Sequence, residues 1–101
     1  MLQAQIFIDK DNLIHSQPLY EFIMQFLLRH NVKGATAFTG MMGFGINHKI
    51  KRPNQIFSFD DPSMMIVFID EDEKVLSVLK LLREQYKGGL IITHPVDLID
   101  A

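Results

Sequence analysis

The order in which two kinds of periodicity alternate along this chain constrains its fold more than any other feature. Leu2, Ala4, Ile6 and Ile8 alternate with Gln3, Gln5 and Phe7, a period of two that predicts a strand with one buried face. After the polar break Asp9-Lys-Asp-Asn the spacing changes. Leu19, Phe22, Ile23, Phe26, Leu27 and His30 fall at i, i+3, i+4, i+7, with Glu21, Gln25 and Arg29 opposite them, which predicts an amphipathic helix. Its start is expected near Ser16 or Gln17, because Pro18 suits a first turn that needs no N–H from it. Asn31 to Gly34 ends the pattern, and Gly34 suits the left-handed backbone of a helix exit.

Ala35 to Thr39 reads as a second strand. Met64 to Ile69 is an unbroken apolar run of strand length, as in a central strand covered on at least one face. Asp70-Glu-Asp-Glu73 opens a second helix, with Asp70 or Asp72 expected as its cap and the acids at its positive end. Val75, Val78, Leu79, Leu82 and Tyr86 form its stripe, and Gly88-Gly89 is expected to stop it. Leu90 to Val96 is the last strand, which Pro95 predicts to lie at a sheet edge or to leave the sheet there. The resulting order, β-α-β-long loop-β-α-β, is a split βαβ arrangement. It predicts an α+β, ferredoxin-like βαββαβ fold, an antiparallel sheet with two helices on one face.

The 101 residues suffice for one core and one domain, residues 1–101. A hydrophobic fraction of 48% beside 22% charged residues excludes a disordered chain. The net charge of −2 argues against nucleic-acid binding by bulk charge. Without cysteine there is no disulfide framework, thiolate metal site or cysteine nucleophile. The longest apolar runs are too short to span a bilayer, and Met1-Leu-Gln-Ala-Gln has no secretory pattern. The expected setting is the cytoplasm. One sheet face is left without helices, and apolar residues such as Phe7 and Phe68 are expected there. Such a face needs a cover, which predicts association of identical copies. Met65 or its neighbour is expected to fill the core, and Met41-Met42 to pack between subunits.

The excursion from about 41 to 62 is long for so small a domain, which marks it as functional or disordered. Gln55, Ile56, Phe57, Ser58 and Phe59 form a candidate extension strand within it. Gly40-Met-Met-Gly43-Phe-Gly45 follows a strand, so its backbone N–H groups can approach an anion; equally, the glycines serve a bulge or turn. It opens no helix and lacks the P-loop lysine, so neither nucleotide fingerprint applies. His48, Lys49, Lys51 and Arg52 follow with no acid among them. That segment either clamps an anionic group or acidic partner, or is simply solvated. His15, His30, His48 and His94 lack zinc-site spacing. The acids at 70–73 are explained by the helix dipole, and no serine has a nucleophile-elbow context. Lys33-Gly-Ala-Thr-Ala-Phe38 begins like an RNA-binding strand motif and fails at its aromatic positions. No catalytic residues, resident metal or cofactor are expected.

The stretch Gly34-Ala-Thr-Ala-Phe-Thr-Gly-Met-Met-Gly-Phe-Gly45, the helix start Pro18-Leu-Tyr-Glu21 and the final Gly-Leu-Ile…Pro-Val-Asp-Leu-Ile resemble the PII-like signalling superfamily. The resemblance is to its uncharacterised branch, domain of unknown function 190, and covers nearly the whole chain. It implies a homotrimer whose subunits meet through their sheets, with residues 41–62 as the partner-reading T-loop. It also implies small effectors, usually adenine nucleotides, in clefts between subunits. By position Thr36 matches the threonine beside the nucleotide base, and Gly43 and Gly45, flanking Phe44, match the T-loop root. Gly89, beside Lys87 and Gly88, matches a glycine of the short phosphate-holding loop. Three cationic phosphate ligands of typical PII proteins are absent: Ile46-Asn47 replaces an Arg-Gln pair, Leu90 a lysine, and Asp100 the C-terminal arginines. Lys87, Lys49 and Arg52 are the candidates to replace them. Thr36 to Gly43 is one residue longer than in those proteins, which implies a bulge.

Three functions follow. The first is a non-enzymatic regulator binding a small anionic effector at its clefts and touching a protein partner, such as a transporter or enzyme, through residues 41–62. The second is a metal handler or small enzyme on the same scaffold, using His48 and His94 with Asp97. The third is a ligand-free interaction module.

Overall fold

The computed structural model describes residues 1–44 and 63–100. Along the chain run β1 (Leu2–Asp9), β2 (Leu13–Ile14), β3 (Gln17–Pro18), α1 (Leu19–Arg29), β4 (Ala35–Thr39), β5 (Ser63–Asp70), α2 (Asp72–Gln85) and β6 (Leu90–Pro95). The main sheet has the order β4-β5-β1-β6, with every neighbouring pair antiparallel. This is the expected α+β, ferredoxin-like arrangement: β1 and β4 are split by β5, and the last strand lies at an edge. Gln55–Phe59 lies outside the described residues.

The period-two pattern of β1 decides which face is buried. Ala4, Ile6 and Ile8 point to the helices, and so do Met64, Ile66 and Phe68 of β5. Against them α1 sets Leu19, Phe22, Ile23, Phe26 and Leu27, and α2 sets Val75, Val78, Leu79 and Leu82. These are the two stripes read from helical spacing. Each fully buried side chain, Phe26 and Phe68 among them, contributes about 1.5–3 kcal/mol of transfer free energy.

Phe68 therefore lies in the core rather than on the open face, because it shares parity with Ile66. Its neighbours Val67 and Ile69 turn outward instead. Likewise Met64 fills the core while Met65 faces out. The open face carries Gln3, Gln5 and Phe7 of β1, Met65, Val67 and Ile69 of β5, Thr36 and Phe38 of β4, and Leu90, Ile92 and His94 of β6. It is thus an apolar field crossed by a polar stripe.

Local chemistry differs from expectation at the element ends. Helix α1 starts at Leu19 with Pro18 as its N-cap, because a two-residue hairpin, β2–β3, occupies the preceding residues. Its turn residues His15 and Ser16 have φ of 49° and 66°, as a type I′ turn requires at both positions. The left-handed residue after α1 is Asn31, φ 61°, and not Gly34. Asparagine tolerates that region because its short polar side chain bonds locally. Helix α2 is capped by Glu71 with no side-chain cap bond; Asp70 is drawn into the sheet end instead. The helix ends at Gln85, before Gly88 and Gly89, with Tyr86 already extended. Pro95 is tolerated for a register reason. The Val96 N–H donates to the Met1 carbonyl, so Pro95 takes a non-hydrogen-bonded position where no ladder N–H is needed.

Candidate functional site

Two groups of the sequence-predicted residues are described, and one sheet positions both. The first surrounds Thr36. Residues 33–36 lead from α1 into β4, and their course is set by Asp70, a buried carboxylate at the end of β5. One Asp70 oxygen accepts from the Glu71 N–H at 2.8 Å and the other from the Lys33 N–H at 3.2 Å. The Lys33 ammonium lies 4.0 Å from Asp70 and 3.8 Å from Glu71. Because the Lys33 side chain is largely exposed and both distances lie near the limit of an ion pair, it adds little, and the two backbone bonds to buried Asp70 hold the segment. Beside it Thr36, Phe38, Val67 and Ile69 border an open groove of about 480 Å³ with Lys33 at its rim. An apolar hollow of about 310 Å³, lined by Met24, Leu28 and Val32, backs onto the same segment.

The glycine-containing stretch from Gly40 to Phe44 continues from β4. The Gly40 N–H donates to the Ser63 carbonyl at 2.8 Å, so the β4–β5 ladder runs one residue past Thr39. A methyl group at Gly40 would lie 3.1 Å from that same oxygen, and one at Gly43 3.5 Å from the Ser63 hydroxyl. The close approach to β5 thus calls for glycine at Gly40, whereas a methyl at Gly43 would stand at ordinary contact distance. Met41, Met42 and Phe44 are exposed. Gly45, His48, Lys49, Lys51 and Arg52 lie outside the described residues.

The second group is the short turn from α2 into β6. Here Lys87 is exposed, and Gly88 and Gly89 are packed against neighbours that leave no room for a side chain. A methyl at Gly88 would meet the Tyr86 hydroxyl at 2.6 Å; one at Gly89, φ 67°, would meet the Phe7 carbonyl oxygen at 2.6 Å. Arg83, in the last turn of α2, donates from Nη1 to the carbonyls of Tyr86, at 3.3 Å, and Gly88. Burial pushes the Tyr86 hydroxyl above its ordinary pKa, opposed by its hydrogen bond with Asn12 and by the Arg83 charge, while Asp9 adds to the rise. Arg83 and Asn12 escaped the sequence reading, since a cation in a last helical turn suits the dipole at any helix and signals nothing more.

The two groups do not meet within one copy. Register places Thr36 in one row with Val67, Gln5 and Ile92. Gly89 lies beyond the other edge, three strand spacings or about 14 Å across and about 10 Å further along. The loop root and the Lys87–Gly89 turn share one end of the sheet, again at opposite edges. Of the residues considered for metal handling, His94 contacts Gln3, ring Nε2 to amide nitrogen at 3.2 Å, and Asp97 is exposed. Among the described residues no three His, Asp or Glu side chains are grouped to hold a metal. No helix among them is long and apolar enough to cross a membrane.

An antiparallel β4-β5-β1-β6 sheet with both helices on one face defines a ferredoxin-like α+β fold. The chain belongs to the domain of unknown function 190 family (DUF190, "Uncharacterized ACR"), whose model matches residues 1–98. A UPF0166 protein of Aquifex aeolicus (strain VF5) is 26% identical over 96 residues, covering 94% of this chain and 90% of the relative. Among solved structures, CPII is similar, a nitrogen regulatory PII-like protein from Thiomonas intermedia K12 bound to ADP, AMP and bicarbonate. Its TM-score is 0.66 at 23% identity, over 92% of this chain and 82% of that one. CutA1 from Pyrococcus horikoshii has the same TM-score, 0.66, at 13% identity over 99% and 87% of the two chains.

Proposed function

We propose that this chain is a non-enzymatic, PII-like regulatory protein. It assembles as a homotrimer and takes a small anionic effector, an adenine nucleotide first, at clefts between copies. It presents residues 41–62 to a protein partner. The observation that carries this reading is the separation of the effector residues. Thr36 and the Lys87–Gly89 turn belong to opposite edges of one sheet, so each copy offers two half-sites. Setting the β4 edge of one copy beside the β6 edge of another joins them. The open face supports the same assembly: Phe38 and Leu90 are 51% and 58% exposed, and Phe7, Met65, Val67, Ile69 and Ile92 lie between or beside them. An apolar field of this kind is covered by a partner in most folded proteins.

The effector need only prefer one state of the 41–62 segment. A tenfold preference corresponds to about 1.4 kcal/mol of population shift. That CPII carries adenine nucleotides in its solved structure makes ADP and AMP the first probes.

Two measurements test the reading. Sedimentation at micromolar concentration is expected to give a trimer that Phe38→Asp dissociates; a monomeric parent protein would overturn the assembly. Thermal shift with ADP, ATP, AMP and cyclic nucleotides is expected to raise Tm for at least one, by about 2.7 kcal/mol of stability at a hundredfold excess over Kd. No shift with any of them at millimolar concentration removes nucleotide sensing. Stoichiometric metal in the purified protein, lost in His94→Ala, would instead install the metal-handling function.

A further inference from the structure

We propose that Leu98 and Ile99 of one copy seat in the apolar hollow between α1 and β4 of the next copy, with Asp100 facing Lys33 at its rim. The inference rests on the edge-to-edge assembly above and adds to it the segment that fastens one copy to the next. The hollow, about 310 Å³, lies between the last turns of α1 and the lead into β4, and Met24, Leu28 and Val32 give it apolar walls. Leu28 is 75% exposed there, in a helix whose other apolar residues are buried or half-buried.

The occupant is identified by what leaves the sheet at the same end. Lys33 bonds to Asp70, Asp70 pairs with Leu2, and Leu2 pairs with Pro95. The lead into β4 and the end of β6 therefore share one end of the sheet, at its two edges. Past Pro95 the Val96 N–H still donates to the Met1 carbonyl. Beyond that anchor Leu98 and Ile99 are 70% and 86% exposed, and no hydrogen bond holds them among the described residues.

Leu98 cannot fill the hollow of its own chain. It lies three residues past Pro95, a reach of about 10–11 Å when fully extended. Strand β4 is three spacings, about 14 Å, from β6, and the hollow lies on its helix side. In a closed ring each copy is related to the next by a rotation, and a rotation about an axis along the strands keeps the same ends of all sheets level. The segment leaving β6 of one copy then emerges beside the lead into β4 of its neighbour. Charge agrees with this placement. Asp100 has no ion pair among the described residues, and the exposed Lys33 ammonium reaches Asp70 and Glu71 only at 4.0 and 3.8 Å.

The chain contains no cysteine, so Leu28→Cys combined with Leu98→Cys introduces the only thiols, both at exposed positions. Mild oxidation followed by non-reducing denaturing electrophoresis is expected to give a covalent ladder up to the trimer, because each copy carries one half of every link. Neither single variant is expected to give that ladder. Sedimentation of the same samples reads assembly independently. A trimer that yields no ladder, or only internally linked monomer, would remove the inference and keep the assembly reading. A ladder that stops at the dimer would keep docking between copies and remove the trimer, and a monomer by both measurements would remove both. In the native background Leu98→Ser is expected to raise the Kd of assembly about tenfold, the scale of one leucine taken out of contact; an unchanged Kd would count against the seat. Asp100→Lys is expected to slow the crosslink a few-fold, the scale of an exposed ion pair, and Lys33→Glu added to it to restore the rate. An unchanged rate in Asp100→Lys would remove the pairing with Lys33.

Discussion

Replacing Gly89 with alanine tests whether the turn into β6 depends on a backbone that only glycine accepts. Its φ of 67° lies in the left-handed region, where a Cβ costs about 1–2 kcal/mol. The new methyl would sit 2.6 Å from the Phe7 carbonyl oxygen. That neighbour is backbone locked in the β1–β6 ladder, so relief requires strand movement, a strain of about 1–3 kcal/mol. Against this, alanine lowers the entropy of the unfolded chain, a gain of about 0.4–1 kcal/mol. The net expectation is a loss of about 1–4.5 kcal/mol, centred on about 3 kcal/mol. Gly34→Ala is the internal control: a methyl group there would have nothing within 4 Å, and the φ of Gly34 is not positive. It is expected to gain the entropic 0.4–1 kcal/mol, on the order of a few degrees in Tm. Urea denaturation of both variants at one protein concentration measures the contrast, with m unchanged. A Gly89→Ala loss under about 0.5 kcal/mol, or an equal loss at both sites, would refute the reasoning.

Ser16→Gly is expected to stabilise the protein by about 1 kcal/mol in the same assay, because φ 66° at the β2–β3 turn favours glycine over serine. Asp70→Asn keeps the shape but sets an amide donor against one of two backbone donors; a loss of about 1–3 kcal/mol and faster hydrogen exchange at Lys33 are expected. Tyr86 predicts a pH effect. Its folded pKa is raised above the unfolded value of 10.0, so its stabilisation is complete below that value and lost as pH rises through the folded pKa. Denaturation between neutral pH and the alkaline limit should show a decline that Tyr86→Phe reduces; an identical decline in the variant would count against burial as the cause.

Period-two alternation in β1 and the stripes of α1 and α2 made the buried face readable, because side-chain direction there is a local consequence of backbone geometry. The same parity rule, applied to Met64–Ile69, would have placed Phe68 inside with Ile66. An unbroken apolar run hides parity, and only pairing with β1 revealed it. Asn31 took the left-handed exit that Gly34 was expected to take, since either residue permits it and the lead into β4 decides which is used. Asp70 was legible as a carboxylate at a helix start, yet its partner on Lys33 stands 37 residues away.

The candidate site divides along the same line. Gly88 and Gly89 stand out in the chain as adjacent glycines after a helix, and Thr36 as a polar residue opening a strand. Nothing in their spacing says that they occupy opposite edges of the sheet. Element type and buried face follow from the residues themselves, because they depend on neighbours within one or two turns. Strand order, the Arg83 bonds beneath the turn and the close approach of Phe7 to Gly89 join residues distant in the chain, and such contacts exist only once the whole sheet has formed.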